Sequence, residues 1–344
     1  MIARSIDVGH GNTKFTTSST RSAGFDCDLF PSIAPPAAKD LQITGGVFSA
    51  ADTINIQIDD AVYTVGKDAH GHGTKRIIDK SFPTTNTYLA LIRGALCFMK
   101  CPRIDFLVLG LPLNTFDLHR DYLQQALMGR HEVTTPSRNR KGPSADKMVF
   151  EVGNVRVLPQ PVGAFYNYYI PKNQLKEKES QRNMVIDVGH GTLDWFVSDG
   201  LKPDYSRSGA DFTGMGTVIK AVADAIHDRA GANYNVLSDI DKSIRTGSCF
   251  QYMQKAINAK EDFKSVIGGA VRNAVSGMLG AVGDLGDIHN IIVTGGGAPV
   301  YLEELRKALP DIELLIDGDG VYSNVRGFQM YGDTLLLQSN KRAT

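Results

Sequence analysis

The sequence predicts an α/β protein made of two similar α/β halves, and three observations carry that prediction. The hexapeptide Ile-Asp-Val-Gly-His-Gly occurs twice, at Ile6 to Gly11 and at Ile186 to Gly191. Each copy follows a short apolar run and precedes a second β-prone run, Lys14 to Thr17 and Leu193 to Val197. A triple glycine, Gly295-Gly296-Gly297, follows a further apolar run at Ile291 to Thr294.

An apolar run, Asp-x-Gly-x-Gly and a returning run read as a strand, a tight glycine turn and a second strand. Successive N–H groups in such a turn form a concave anion site that a phosphate can approach closely. One copy alone reads as an ordinary hairpin. An identical pair, each with its aspartate, points to two halves gripping one nucleotide through Gly9, His10, Gly11, Asn12 and Thr13 on one side and Gly189, His190, Gly191 and Thr192 on the other. Asp7 and Asp187 close their strands just before the turns, where a carboxylate can hold Mg²⁺ directly or through its waters. Lys14 adds a positive charge to the first turn.

Length and composition set the limits. A chain of 344 residues exceeds what one core usually serves, so two domains are expected. Lys plus Arg balance Asp plus Glu at 37 each, which leaves no strong basic field and disfavours direct binding to nucleic acid. Cys27, Cys97, Cys101 and Cys249 form no C-x-x-C pair and read as reduced thiols of a cytosolic protein. No apolar run approaches the roughly 20 residues that span a bilayer, and Met1 leads into a strand without a signal-peptide pattern. No membrane association and a cytoplasmic location are expected.

Along the chain, Ile54 to Ile58 and Ala61 to Val65 read as a hairpin turned at Asp59-Asp60. His70-Gly71-His72-Gly73 reads as a solvated loop without enough ligands for a metal. Thr84 to Lys100 reads as a helix, Ile104 to Leu109 as a buried strand, and Thr115 to Met128 as a second helix. The polar stretch Gly129 to Lys147, with Arg138-Asn139-Arg140-Lys141, reads as a solvated loop or a subunit contact. Val149 to Val152 and Val155 to Leu158 read as a hairpin turned by Gly153-Asn154, whose second strand delivers Gln160 to a helix entrance with Pro161 in its first turn. Lys172 to Arg182 reads as a charged connection, and Trp195 as core. Helices are expected over about Thr217 to Arg229, from Phe263 to a terminal glycine at Gly283, and over Val300 to Leu309.

These motifs resemble those of the actin-like ATPase superfamily. Ile6 to Lys14 and Ile186 to Asp194 look like its two phosphate loops, Val157 to Ala164 like the first connecting segment, Ile291 to Ala298 like the adenosine motif, and Asn324 to Phe328 like the second connecting segment. The resemblance implies an actin-like ATPase fold of two duplicated RNase H-like α/β domains, residues 1–160 plus 325–344 and residues 161–324. It implies ATP with Mg²⁺ as cofactors, GTP remaining open, and it gives Gln160 the role of orienting the attacking water. Gly295, Gly296 and Gly297 would pass against the adenosine. The length and loop wording are most similar to the plasmid-segregation actins of the ParM/StbA type, including the PRTRC protein D group. That similarity implies a filament of the chain itself and a DNA-binding adaptor protein as partner. A small-molecule kinase of the same superfamily and a chaperone-like ATPase are the other classes. The kinase lacks a clear additional acid near the motifs, and the chaperone lacks room for a substrate domain. His10 and His190 depart from the family pattern, which leaves the details of phosphate contact open.

Overall fold

A computed structural model describes residues 1–17, 26–37, 52–69, 76–139, 142–178, 180–230 and 237–343. The apolar run before the first hexapeptide forms β1 (Ala3–Val8), buried along its whole length because strands flank it on both sides. The glycine turn returns the chain as β2 (Asn12–Thr16), antiparallel to β1, and β3 (Cys27–Pro31) continues the sheet. The expected hairpin is present as β4 (Thr53–Ile58) and β5 (Ala61–Gly66), with Asp59 at positive φ in the turn.

A 3-10 turn at Phe82–Thr84 then leads into α1 (Asn86–Met99), two residues later than the expected Thr84 start, because Thr85 supplies the cap: its hydroxyl accepts from the N–H of Tyr88 at 3.2 Å. Lys100 ends the helix in the left-handed region. Next come β6 (Arg103–Leu111), parallel to β1, and α2 (Leu113–Ala126).

Here two expectations fail. The polar stretch after α2 is not a loop but β7 (Gly129–Asn139), antiparallel to a strand of 18 residues, β8 (Gly142–Pro159). Arg140 and Lys141 lie outside the described residues, as do the histidines at 70 and 72. Gly153-Asn154 is not a turn either. β8 pairs with β7 as far as Val152 and with β6 from Glu151 to Pro159, so the β6 ladder, through Phe106 opposite Asn154, carries the strand on where the local signal alone favours a reversal. β8 ends at α3 (Gln160–Tyr169), which has Pro161 in its first turn as expected. The sheet order is β3-β2-β1-β6-β8-β7.

The second unit opens with α4 (Leu175–Lys178), a short helix in the expected charged connection. The second hexapeptide joins β9 (Arg182–Val188) to β10 (Leu193–Asp199) in the same antiparallel arrangement as the first. β11 (Lys202–Pro203) and β12 (Gly209–Asp211) extend that side, and α5 (Met215–Ala230), α6 (Leu237–Thr246), β13 (Phe250–Tyr252), β14 (Lys255–Ile257) and α7 (Ala259–Asp262) follow. α8 (Lys264–Val282) buries Ile267, Val271, Ala274, Val275 and Met278 and stops at Gly283, as its spacing predicts. β15 (Asn290–Thr294) runs parallel to β9, α9 (Ala298–Ala308) follows the triple glycine, and β16 (Leu314–Ile316) closes the order β11-β10-β9-β15-β16. Trp195 packs in this unit's core with Met184, Ile186 and Met215. Among the described residues no helix is long and apolar enough to cross a membrane.

The last helix, α10 (Ser323–Ala343), belongs to the first unit. The units are Met1–Ile170 with Tyr322–Thr344, and Pro171–Val321, so the first extends past residue 160 because α3 packs on α10. The two helices cross at glycines: a Cβ on Gly327 would lie 1.8 Å from the Gly163 carbonyl oxygen, and one on Gly163 would lie 2.6 Å from that of Asn324. Buried polar side chains tie α10 to the sheet. Ser5 Oγ donates to Val325 O at 2.7 Å, and Thr16 Oγ1 to Gln329 Oε1 at 2.7 Å.

Two stability predictions follow from this packing. Gly327→Ala must push α10 from α3 and is expected to lower stability by about 3 kcal/mol or more, read as a lower denaturation midpoint. Gly277→Ala, on α8 with nothing within 4 Å of its Cβ position, is expected to be neutral or to add about 0.5–1 kcal/mol. Similar midpoints for the two variants would refute the close crossing.

A third prediction concerns His10, which stacks on Phe82 at 5.3 Å between ring centroids, while Phe82 meets the edge of Tyr88 at 5.2 Å. Burial lowers the His10 pKa from 6.5 to about 4. The unfolded chain therefore takes this proton first. The resulting stability is fully present above pH 6.5 and is lost as the pH falls towards 4, up to about 3 kcal/mol in all. His10→Phe should flatten the acid side of a melting-temperature profile, and an unchanged profile would remove His10 as its source.

Candidate functional site: paired glycine turns and a charged cluster

The first turn is organised by a carboxylate with no exposed surface. In the β1–β2 register Asp7 stands opposite Lys14, which places both side chains on one face of the sheet. Lys14 Nζ donates to Asp7 Oδ2 at 2.8 Å. The second oxygen is claimed from far along the chain: Gln160, at the head of α3, donates from Nε2 to Asp7 Oδ1 at 2.6 Å. Asp7 is 0% exposed and Gln160 6%. The turn itself closes through the Gly9 N–H, which donates to Asn12 O at 3.1 Å, and Gly11 O accepts from the Ser32 N–H at 3.0 Å. Gly9, Asn12 and Lys14 keep partial exposure, whereas His10, Gly11 and Thr13 are buried. Thr13 shares a hydrogen bond with Ser32 at 2.9 Å, so its hydroxyl braces the turn from behind.

The second turn repeats the first bond for bond at its entrance. The Gly189 N–H donates to Thr192 O at 2.9 Å, the counterpart of Gly9 to Asn12. Its outer carbonyls then meet the start of α5: the Met215 N–H donates to Gly189 O at 3.0 Å and the Gly216 N–H to His190 O at 2.7 Å. These are N–H groups that a helix start leaves without intrahelical partners. Gly189 and His190 are half-buried, and Gly191 and Thr192 are buried. The two histidines thus differ, His10 stacking on a phenylalanine and His190 lying beside the first turn of α5.

The register also brings in a residue that the sequence marks only as a strand position. Asp194 stands opposite Asp187 as Lys14 stands opposite Asp7, and both aspartates are buried. Laying the two hexapeptides over one another and reading on would have found it, since Lys14 and Asp194 follow their aspartates at the same distance. Among the described residues no three His, Cys, Asp or Glu side chains gather as a metal cage. Two neighbouring carboxylates fit Mg²⁺ instead, which keeps several waters and takes its remaining ligands from substrate phosphate.

The triple glycine packs on this second turn. Thr294 pairs with Asp187, and Gly295 follows at φ +91°, where a Cβ would lie 2.4 Å from both Asp187 Oδ1 and Val188 O. The Gly297 N–H donates to Val188 O at 2.9 Å, so Gly295 and Gly297 are buried and Gly296 alone stays half-exposed. Gly296 lines a groove of about 500 Å³, together with Arg245, Lys260, Glu261, Lys264 and Pro299. Arg245 donates from Nη1 to the Gly296 carbonyl and from Nε to Asp241 Oδ1 at 2.7 Å. Neither the groove nor Arg245 carried a sequence signal, because α6 joins the triple glycine only through tertiary packing.

Comparison with known proteins agrees with this geometry. Residues 5–163 match the model of actin-like proteins, N-terminal domain, and residues 185–307 match that of the archaeal actin homologue MreB-like, C-terminal. No curated protein matches the chain. Among solved structures, the archaeal actin homologue Ta0583 is similar with a TM-score of 0.77 at 19% identity, over 97% of this chain and 100% of that one. Its complex with ADP gives 0.74 at 20%, again over 97% and 100%. A 15-stranded ParM filament from Clostridium botulinum gives 0.73 at 20%, over 97% and 100%. With two family models that follow one another along the chain and one fold shared from end to end, the chain belongs to the actin-like ATPase superfamily.

Proposed function

We propose that the chain is an ATP hydrolase that polymerises into filaments with ATP and Mg²⁺. We further propose that these filaments segregate plasmid DNA in the cytoplasm through a DNA-binding adaptor, in the manner of the ParM/StbA type. The observation that carries the hydrolase reading is the cluster of Asp7, Lys14 and Gln160. An amide at the head of a helix can accept from a water and donate to an oxygen without acting as a strong base, which suits a reaction catalysed mostly by positioning. Gly9, Asn12, Gly189 and His190 are the partly exposed turn residues assigned to phosphate. The groove beside Gly296 is the space assigned to the adenosine, with a volume that suits a nucleoside.

Asp187 and Asp194 are the residues that would hold Mg²⁺, because Asp7 is already matched by an ammonium and an amide. Once bound, the ion would neutralise phosphate charge. The similarity to an ADP complex and to a filament supports nucleotide binding and self-association respectively. A kinase would remain soluble and hydrolyse ATP faster in the presence of some hydroxyl compound.

Saturating Mg·ATP is expected to raise the melting temperature, by about 2.7 kcal/mol of added stability at a hundredfold excess over Kd. Asp187→Asn should lose most of the Mg²⁺-dependent part of that shift while the protein without nucleotide melts as before. An equal melting temperature with and without Mg·ATP would sink the nucleotide reading.

Gln160→Ala separates binding from hydrolysis. Its ATP affinity should stay near that of the unmodified protein, while phosphate release falls by about 10² or more. Slower hydrolysis should in turn prolong the polymer, seen as light scattering that decays later. Normal ATP binding with undiminished phosphate release would remove Gln160 from the mechanism.

A further inference from the structure

The two neighbours of β8 scarcely overlap along it. β7 pairs with it from Gly142 to Val152, and β6 from Glu151 to Pro159. From Gly153 onward β8 is therefore itself an edge of the first sheet, with β6 on one side and, among the described residues, no strand on the other. One bond fixes which backbone groups face that open side. The Glu151 N–H donates to Pro102 O at 2.8 Å, on the β6 side, and along a strand successive residues turn their N–H and C=O to opposite sides. Gly153, Val155 and Val157 thus face β6, and Asn154, Arg156 and Leu158 face outward. Among the described residues no group bonds the main chain of these three, and the Asn154 and Arg156 side chains are exposed.

An open row of backbone donors and acceptors is a template for a further strand. A second copy of the same edge does not fit there. α2 rests chiefly on β8, and its Phe116 and Leu123 share one core with Val155 and Val157, which are 2% and 4% exposed. Paired strands stand about 4.8 Å apart, whereas packed helix axes need about 8–10 Å. Two β8 edges joined together would drive their two α2 helices into each other. A bare extended segment brings no helix and meets no such collision.

Charge narrows the occupant further. Arg156 is the one charged residue from Gly153 to Pro159. Its guanidinium donates to the neighbouring Val155 O at 3.2 Å, and no carboxylate among the described residues pairs with it. Residues directly opposite one another on paired strands interact, and opposite charges there attract. We propose that the edge of β8 from Gly153 to Pro159 takes up an extended segment of another protein as an added strand, with a carboxylate side chain opposite Arg156. Main-chain hydrogen bonds supply the affinity of such an addition, and the charge pair supplies its preference. The slot is bounded by Gly129, where β7 begins, and by Pro159, which has no N–H to offer. This contact stands apart from the nucleotide and filament readings.

Hydrogen exchange on the full chain reads the edge directly. In the protein alone, the amides of Asn154, Arg156 and Leu158 should exchange about a hundredfold faster than those of Val155 and Val157, which the β6 ladder holds. The probe is a capped heptapeptide of alternating threonine and valine with glutamate at its centre. At about 1 mM it should slow the three fast amides by about tenfold. Lysine in place of the central glutamate should weaken binding about fivefold, and Arg156→Glu, at an exposed position, should reverse that preference. Four results would each overturn the proposal: three amides already slow in the protein alone, self-association that protects them, a peptide that leaves them unprotected, or a glutamate preference that survives Arg156→Glu.

Discussion

A carboxylate removed from water is costly unless its charge and both its oxygens are matched, and Asp7 is matched from two directions. Lys14 arrives through the shortest route available, the glycine turn and one strand register. Gln160 arrives through the longest, by way of β6, α2, β7 and β8 to the head of α3. The sheet order β1-β6-β8 is therefore what brings the amide to the turn. The position of α3 depends in its turn on α10, whose Gly327 lets the two helix backbones touch and whose Phe328 ring approaches both Gly110 and Gly163. A change in that crossing moves Gln160 without touching the turn. Preorganisation of this kind places the precision of a site in residues that never meet the ligand.

The duplicated hexapeptide shows how one backbone device serves two chemical settings. Gly9 and Gly189 make the same turn bond, and Asp7 and Asp187 occupy the same strand position. What differs is the residue across the ladder, an ammonium in one unit and a second carboxylate in the other. One turn is therefore matched across its ladder, and the other sets two carboxylates opposite one another, the arrangement on which the proposed Mg²⁺ site rests. The histidines diverge for a related reason. Packing against Phe82 desolvates His10 and keeps it neutral, so its contribution to the first turn is shape and not charge.

Much of this was legible in the sequence, and the misses share a cause. Strands around the glycine turns, the stripe of α8 and the cap-like glycine after it were readable because their signals lie within a few residues of each other. Gly153-Asn154 misled because a local turn preference competes with the β6 ladder, which takes over where the β7 pairing ends at Val152, and the ladder prevails. The polar, basic character of Gly129 to Lys147 suggested a loop for a similar reason: an edge strand needs only one partner and can carry charge along its open side. Asp194 lies just beyond the identical stretch of the repeat, at the position that Lys14 holds in the first copy, so the hexapeptide alone does not mark it. Arg245 offered nothing to read, since its bond to Gly296 joins elements far apart in the chain.

The same cluster bears on which reaction the fold supports. A phosphoryl transfer to a substrate hydroxyl benefits from a carboxylate able to take that proton. In the first unit Asp7 engages Lys14 through one oxygen and Gln160 through the other, so both of its oxygens are already matched within the protein. The group left at the head of α3 is an amide, which can hydrogen-bond a water but takes no proton from it. Hydrolysis of a nucleotide whose leaving group needs little protonation asks for that orientation and little more. An amide in this position therefore supports the proposed hydrolase over a kinase, and slow hydrolysis would let the nucleotide state of a subunit govern assembly in the proposed filament.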